Sequence, residues 1–100
     1  MNTQARPMFV YILATKRHGT LYIGVTNDLQ RRLQEHRDGS NAGFTKRYKV
    51  HRLVHYEIYE SPTEAIMRET HIKKWRRDWK SNLIERDNPN WEDLPAPMAY

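Results

Sequence analysis

The chain is 100 residues long, has no cysteine and carries a formal net charge of +5 with a pI near 9.7. That length fits one domain, disulfides and thiolate metal sites are excluded, and no apolar run approaches the roughly 20 residues a membrane-spanning helix needs. Residues 1–84 hold 16 basic and 8 acidic groups, and residues 85–100 hold one basic and four acidic. This asymmetry suits a domain that meets a polyanion, although an ordinary solvated surface would look the same.

Residues 1–7 are polar, lack a signal-peptide core and are expected to be a flexible N-terminus on a cytoplasmic protein with no membrane partner. Phe9–Leu13 and Leu21–Val25 are β-branched and aromatic, and Lys16-Arg17-His18-Gly19-Thr20 between them reads as a turn. In the resulting hairpin Tyr11 is expected opposite Gly24 and Leu13 opposite Tyr22. The two tyrosines then share a face unless a β-bulge breaks the alternation.

Leu29–Arg37 reads as a helix, with Thr26, Asn27 and Asp28 as N-cap candidates and Asn27 and Gln30 at capping-box spacing. Leu29, Leu33 and His36 fall on its buried stripe, Arg32 flanks it and Arg31 points away. Asp38–Gly43 is a loop by its turn residues. Arg52–Glu60 reads as a third strand with Val54, Tyr56 and Ile58 on one face.

Ser61, Pro62 and Glu64 then form a strong helix start. This helix is expected to run to about Trp79 with a stripe of Ala65, Ile66, Ile72, Trp75 and Trp79. Glu69 lies on that stripe, where a carboxylate is costly unless paired, hydrogen-bonded or coordinated. Leu83 and Ile84 extend this element or begin a further helix. The expected organisation is one domain over residues 8–87 and a Pro-rich C-terminal tail over residues 88–100. The fold class is α+β, with a small, mainly antiparallel three-stranded sheet flanked by helices.

Taken singly, the polar positions have bland readings. Tyr11 and Tyr22 could be ordinary strand tyrosines, Arg32 surface, His36 a core histidine, and Glu69 a partner for Lys73 one turn on. His51 and His55 share a strand face and could bind a metal or be plain surface. Lys46–Arg52 is basic around Tyr48, which suits a groove that tracks a nucleic-acid backbone. Lys73, Lys74, Arg76 and Arg77 could line the same groove or solvate a helix.

Taken together, these residues resemble the GIY-YIG nuclease superfamily over roughly residues 8–84, and most closely its small single-domain bacterial members. Those members are related to the N-terminal nuclease domain of the excision-repair incision subunit. Tyr22-Ile23-Gly24 matches the second signature tripeptide. Phe9-Val10-Tyr11 stands where the first belongs, with Phe9 in place of glycine and Val10 in place of isoleucine. Arg32, His36 and Glu69 match the helix arginine, the histidine one turn later and the acidic residue of the later helix. Gly43-Phe44-Thr45 and Ile72-Lys73-Lys74-Trp75 extend the likeness.

The resemblance implies an endonuclease that hydrolyses phosphodiester bonds in structured, damaged or single-stranded DNA during repair or recombination. One Mg²⁺ or Mn²⁺ ion would be held by Glu69, and Arg32 would clamp the phosphate. Tyr11 would help deprotonate the water, with its pKa lowered by a metal or arginine, while Tyr22 orients the water or the phosphate and His36 relays a proton or holds the tyrosine hydroxyl. Gly24 would allow close approach of a backbone or phosphate. Lys46, Arg47, Lys49, Lys73 and Lys74 would contact nucleic acid, DNA or RNA, and Asn82 is the nearest match to a family asparagine. The alternatives are a catalytically weak nucleic-acid-binding module and an adaptor for other repair proteins on the same scaffold. A monomer or weak dimer is expected, and with one centre per chain, cutting both strands requires two copies or two visits.

Overall fold

The computed structural model describes residues 6–38 and 49–97. Three strands, β1 (Met8–Ala14), β2 (Leu21–Thr26) and β3 (Arg52–Tyr59), form an antiparallel sheet in the order β2-β1-β3. The described helices are α1 (Leu29–Asp38), α2 (Pro62–Lys74) and α3 (Arg77–Asp87). The expected α+β class and three-stranded sheet are what the chain forms.

The central strand is the one whose side chains are apolar on both faces. Val10, Ile12 and Ala14 pack with Ala65, Ile72, Leu83 and Ile84 of α2 and α3. Phe9, Tyr11 and Leu13 pack with Leu29 and Leu33 of α1. The hairpin has the predicted register, Tyr11 opposite Gly24 and Leu13 opposite Tyr22.

The third strand departs from its predicted alternation. Ile12 pairs with His55 and Leu13 with Leu53, so Val54 is an extra residue at a bulge. Val54 therefore packs on the α2 side and Tyr56 against the α1 side, while Ile58 is mostly exposed. The three do not share a face.

Helix starts are set by small polar side chains. Ser61 caps α2, its Oγ accepting the Glu64 N–H at 3.3 Å, and Pro62 opens the helix as predicted. At α1 the cap is Asp28 rather than Asn27. Asp28 Oδ1 accepts the Arg31 N–H at 3.2 Å, and Thr26 Oγ1 accepts the Asp28 N–H at 3.1 Å.

The second helix ends at Lys74, not near Trp79. Trp75 and Arg76 are both extended, with ψ of 154° and 157°, and α3 begins afresh at Arg77. That break changes the helical phase. Leu83 and Ile84 are buried, whereas Ile66 and Trp79, predicted on the buried stripe, are 50% and 51% exposed.

Residues 88–97, the described part of the segment predicted as a tail, are built into the domain. Trp91 is fully buried on the α2 side and donates its indole N–H to Glu85 at 2.7 Å. Asn88 donates to the Val54 and Glu92 carbonyls, and the Leu94 N–H donates to the Leu53 carbonyl at 2.8 Å. Leu94 and Ala96 then pack on the α1 side. The chain thus crosses the β3 edge from one face of the sheet to the other. Asp93 accepts from Arg37 at 3.1 Å and from the Leu53 N–H at 2.9 Å, fastening the end of α1 to the start of β3.

A polar cluster ties β3 to α2. Glu57 accepts from Arg68 at 2.8 and 3.0 Å, from His55 at 2.8 Å and from Tyr59 at 2.8 Å. Burial alone would raise the Glu57 carboxyl, but the hydrogen bonds outweigh it and hold the group well below the usual carboxylate range. His55 is therefore committed to Glu57, and His51 lies outside the strand with its carbonyl accepting from Arg37.

Candidate active site

Alternation on β1 and β2 sends Tyr11 and Tyr22 to the α1 side of the sheet, and helical phase turns His36 down onto them. The Tyr11 hydroxyl and His36 Nε2 share a hydrogen bond of 3.1 Å in the interior. The Tyr22 ring lies 5.2 Å from the imidazole and 6.2 Å from the Tyr11 ring, centroid to centroid. Among these, Tyr11 is 1% exposed and His36 1%, whereas Tyr22 is half-buried and reaches an open concavity.

Gly24 has a specific local task. A Cβ at this position would stand 2.5 Å from the Tyr11 hydroxyl oxygen, so the group that approaches the glycine closely is the Tyr11 phenol, and Gly24 itself is buried. The expected direct approach of a phosphate to Gly24 is replaced by this intramolecular one. Phe9 packs beside Leu29 and Leu33 under α1, two residues before Tyr11 on the same face. It fills core and leaves the tyrosine in place.

Electrostatics alter the expected division of labour. Burial pushes the Tyr11 phenol well above its ordinary value, Tyr22 and the Glu69 carboxylate push the same way, and the Arg32 guanidinium opposes them without prevailing. Arg32 lowers the Tyr11 phenol as expected, but by less than burial raises it. Burial, with Arg32 adding to it, lowers His36, so the imidazole is neutral at neutral pH.

The helix phase predicted for the arginines holds. The Arg32 side chain is 33% exposed against 68% for Arg31, and both lie near Glu35. Glu69 acts electrostatically on Tyr11 from α2, and its carboxylate pairs with Lys73 at 3.0 Å. Tyr11, Tyr22, Arg32, His36 and Glu69 are thus brought within one electrostatic neighbourhood by β1, β2, α1 and α2.

The flanking assignments divide. Lys73 joins Leu21, Tyr22, Ile23 and Lys80 around a concavity of about 320 Å³ at the β2 edge. Lys80, which also donates to the Lys73 carbonyl at 3.3 Å, escaped the sequence reading because the break at residues 75–76 resets the phase of α3. Asn82 is not on this concavity; it lines a separate cleft with Trp75 and Trp79. Lys74 and Lys49 are exposed, and Lys49 takes a φ of 56°. Lys46 and Arg47, with Gly43-Phe44-Thr45, lie outside the described residues. No helix among the described residues is long and apolar enough to cross a membrane.

A small sheet with paired strand tyrosines, a helix Arg and His one turn apart, and a glutamate from a later helix defines a nuclease-type catalytic domain. Residues 7–82 match the family described as the GIY-YIG catalytic domain, and the chain belongs to that family. It is similar to a UPF0213 protein of Clostridium perfringens, 41% identical over 76 residues that cover 76% of this chain and 81% of the relative. A UPF0213 protein of Staphylococcus aureus is 39% identical over 77 residues, covering 77% and 93%. The solution NMR structure of a UPF0213 protein from Bacillus halodurans superposes with a TM-score of 0.55 at 31% identity, covering 87% of this chain and 92% of that one.

Proposed function

We propose that the protein is a divalent-metal-dependent endonuclease that hydrolyses phosphodiester bonds in DNA, with structured, damaged or single-stranded DNA of repair or recombination as its substrate and the cytoplasm as its setting. The carrying observation is the buried Tyr11–His36 hydrogen bond, with the Tyr22 ring beside it and lining the concavity.

Arg32 binds the scissile phosphate through its fork of donors, which suits phosphoryl oxygens. His36, held neutral by burial and by Arg32, is the proton acceptor. Tyr11 is too basic to accumulate as phenolate and serves as a relay. Tyr22 takes a proton from the attacking water as its own passes to Tyr11, and the Tyr11 proton passes to His36 Nε2. The water oxygen bonds to phosphorus, the opposite P–O bond breaks, and the departing oxygen takes a proton from solvent. This revises the expectation that Tyr11 itself is the base.

Glu69 is the residue to hold the cation. The described residues contain no group of three or more His, Asp or Glu side chains that could cage a metal. A single carboxylate fits Mg²⁺ or Mn²⁺, hard ions that keep several waters. When bound, such an ion supplies positive charge to the phosphoryl oxygens and the departing oxygen. The Glu69 carboxylate pairs with the Lys73 ammonium at 3.0 Å, which a bound cation would have to displace. The same ion pair favours the second reading, a nucleic-acid-binding module without efficient catalysis, because it satisfies Glu69 with no metal at all.

Nicking of supercoiled DNA with Mg²⁺ by the wild type, Arg32→Ala and Glu69→Ala decides between the readings. Each substitution is expected to remove cleavage while DNA binding largely survives. Equal, metal-independent background in all three proteins would overturn the nuclease reading.

A further inference from the structure

A second cleft opens at the α2–α3 junction, about 490 Å³ in volume and lined by Arg68, Trp75, Trp79, Asn82, Leu83 and Arg86. That volume lies in the range of about 300–1,000 Å³ typical of ligand sites. It shares no lining residue with the concavity at Tyr22. Its two indoles meet edge to face at 6.0 Å. The Arg68 guanidinium lies 5.0 Å from the Trp75 centroid, and Arg76 lies 5.5 Å from that of Trp79.

Two features of the cleft bear on its occupant. Trp79 is half-exposed although it is among the largest apolar side chains and carries Arg76 over its ring, so part of its surface is open to a ligand. The polar lining consists of two guanidiniums and one amide, with no carboxylate among the lining residues. Glu57 holds Arg68 in place through two hydrogen bonds. An apolar protein segment would cover the indole but offer no acceptor to the exposed Arg86 guanidinium, while Arg68 is already matched by Glu57. A nucleotide answers all three groups: a base for the indole, phosphates for the arginines, and a base edge for the amide.

We propose that this cleft binds unpaired nucleotides of single-stranded DNA, with a base stacked on Trp79, the backbone against Arg68 and Arg86, and Asn82 at a base edge. Lys73 and Lys80 line the catalytic concavity and Trp75 and Trp79 line the cleft, so the α2–α3 junction contributes side chains to both. The proposal deepens the nuclease reading and rests on it for the meaning of the site, since it gives the substrate an unpaired stretch beside the cut.

The test uses the full chain in EDTA, where cleavage is silent. A fluorescein-labelled oligothymidylate of about 12 nucleotides is titrated by anisotropy, with tryptophan fluorescence recorded in parallel. The expected result is binding with tryptophan quenching, about tenfold weaker binding for Trp79→Ala, near-wild-type binding for Trp79→Phe, and comparable weakening when the strand is abasic. Circular dichroism checks that Trp79→Ala is folded, as the exposure of that side chain leads one to expect. Equal affinity of wild type and Trp79→Ala, or of thymidylate and abasic strands, would overturn the proposal. So would a loss of self-association, measured by sedimentation, on Trp79→Ala without loss of oligonucleotide binding, because the cleft would then be a protein contact. Arg32→Ala and Glu69→Ala are expected to keep the tryptophan quenching, because neither residue lines the cleft. If those variants still nick DNA like the wild type while Trp79→Ala loses the oligonucleotide, the nuclease reading fails and the cleft stands.

Discussion

The Tyr11 phenol occupies the space that any side chain at residue 24 would need: a Cβ on Gly24 would meet its hydroxyl oxygen at 2.5 Å and its Cζ at 2.6 Å. The glycine of the second tripeptide is thus required by the tyrosine of the first. Gly24→Ala must push the ring aside at a cost of about 1–3 kcal/mol, as overpacking does. Displacing the relay by about 1 Å is enough to lower a rate about 10²-fold. Thermal unfolding and nicking assays on this variant are expected to show activity falling far more than folding.

Tyr11→Phe keeps the ring and removes the hydroxyl shared with His36. Loss of one hydrogen bond costs about 0.5–1.5 kcal/mol of stability. Loss of the relay is expected to lower cleavage by about 10²–10⁴-fold. Single-turnover nicking with saturating enzyme separates this from weaker DNA binding, which should hold steady.

The neutral state of His36 has a pH signature. Its folded pKa lies below the unfolded value of 6.5, so the folded protein resists protonation. The stability from a neutral His36 is full above 6.5 and is lost as pH falls through the folded value. Cleavage should follow the same direction, rising with pH through a midpoint below 6.5. A His36→Gln variant is expected to lose that rise along with most of the activity. A pH–rate profile with its acidic midpoint well above 6.5 would count against the imidazole as acceptor.

Glu57 carries a separate, purely structural load. Because its folded carboxyl titrates well below the unfolded 4.5, its contribution is full above that value and lost as pH falls through the folded one. Glu57→Gln leaves Arg68 without its charge partner, and breaking such a pair costs up to about 3–5 kcal/mol. Urea denaturation at pH 7 and pH 3 is expected to show a large difference between the two proteins at pH 7 and a smaller one at pH 3.

Trp91 tests whether the end of the chain belongs to the domain. It is fully buried and packs with Ile84 and Val54 in one cluster. Trp91→Ala is expected to cost about 3–5 kcal/mol. Ending the chain after Asp87 should leave it largely unfolded by circular dichroism, whereas a dispensable tail would leave the spectrum unchanged.

The parts of the fold that sequence made legible are those governed by strict periods. Alternation fixed Tyr11 against Gly24, and the 100° helical step separated Arg32 from Arg31. The parts that were hidden lack a local signature. Val54 sits at a bulge between Leu53 and His55, and all three are buried, so nothing in the pattern announces the shift of face. The break at Trp75-Arg76 contains neither proline nor glycine, so nothing in the pattern announces the end of α2 or places Lys80 beside Lys73. Trp91 stands among prolines and acids that read as a tail, and only tertiary packing reveals it as core. The electrostatics of Tyr11 were likewise unreadable, because they depend on how completely α1 covers the ring.

Both faces of β1 are committed, the odd-numbered side chains to the tyrosine cluster and the even-numbered ones to the α2 core. Inserting one residue within this strand would exchange the two sets, sending Tyr11 toward Ile72 and Val10 toward His36. Length variation in a protein built this way is therefore confined to the turn at Thr15–Thr20 and to the other connections, and the spacing within the hairpin strands is held as tightly as the identity of the tyrosines.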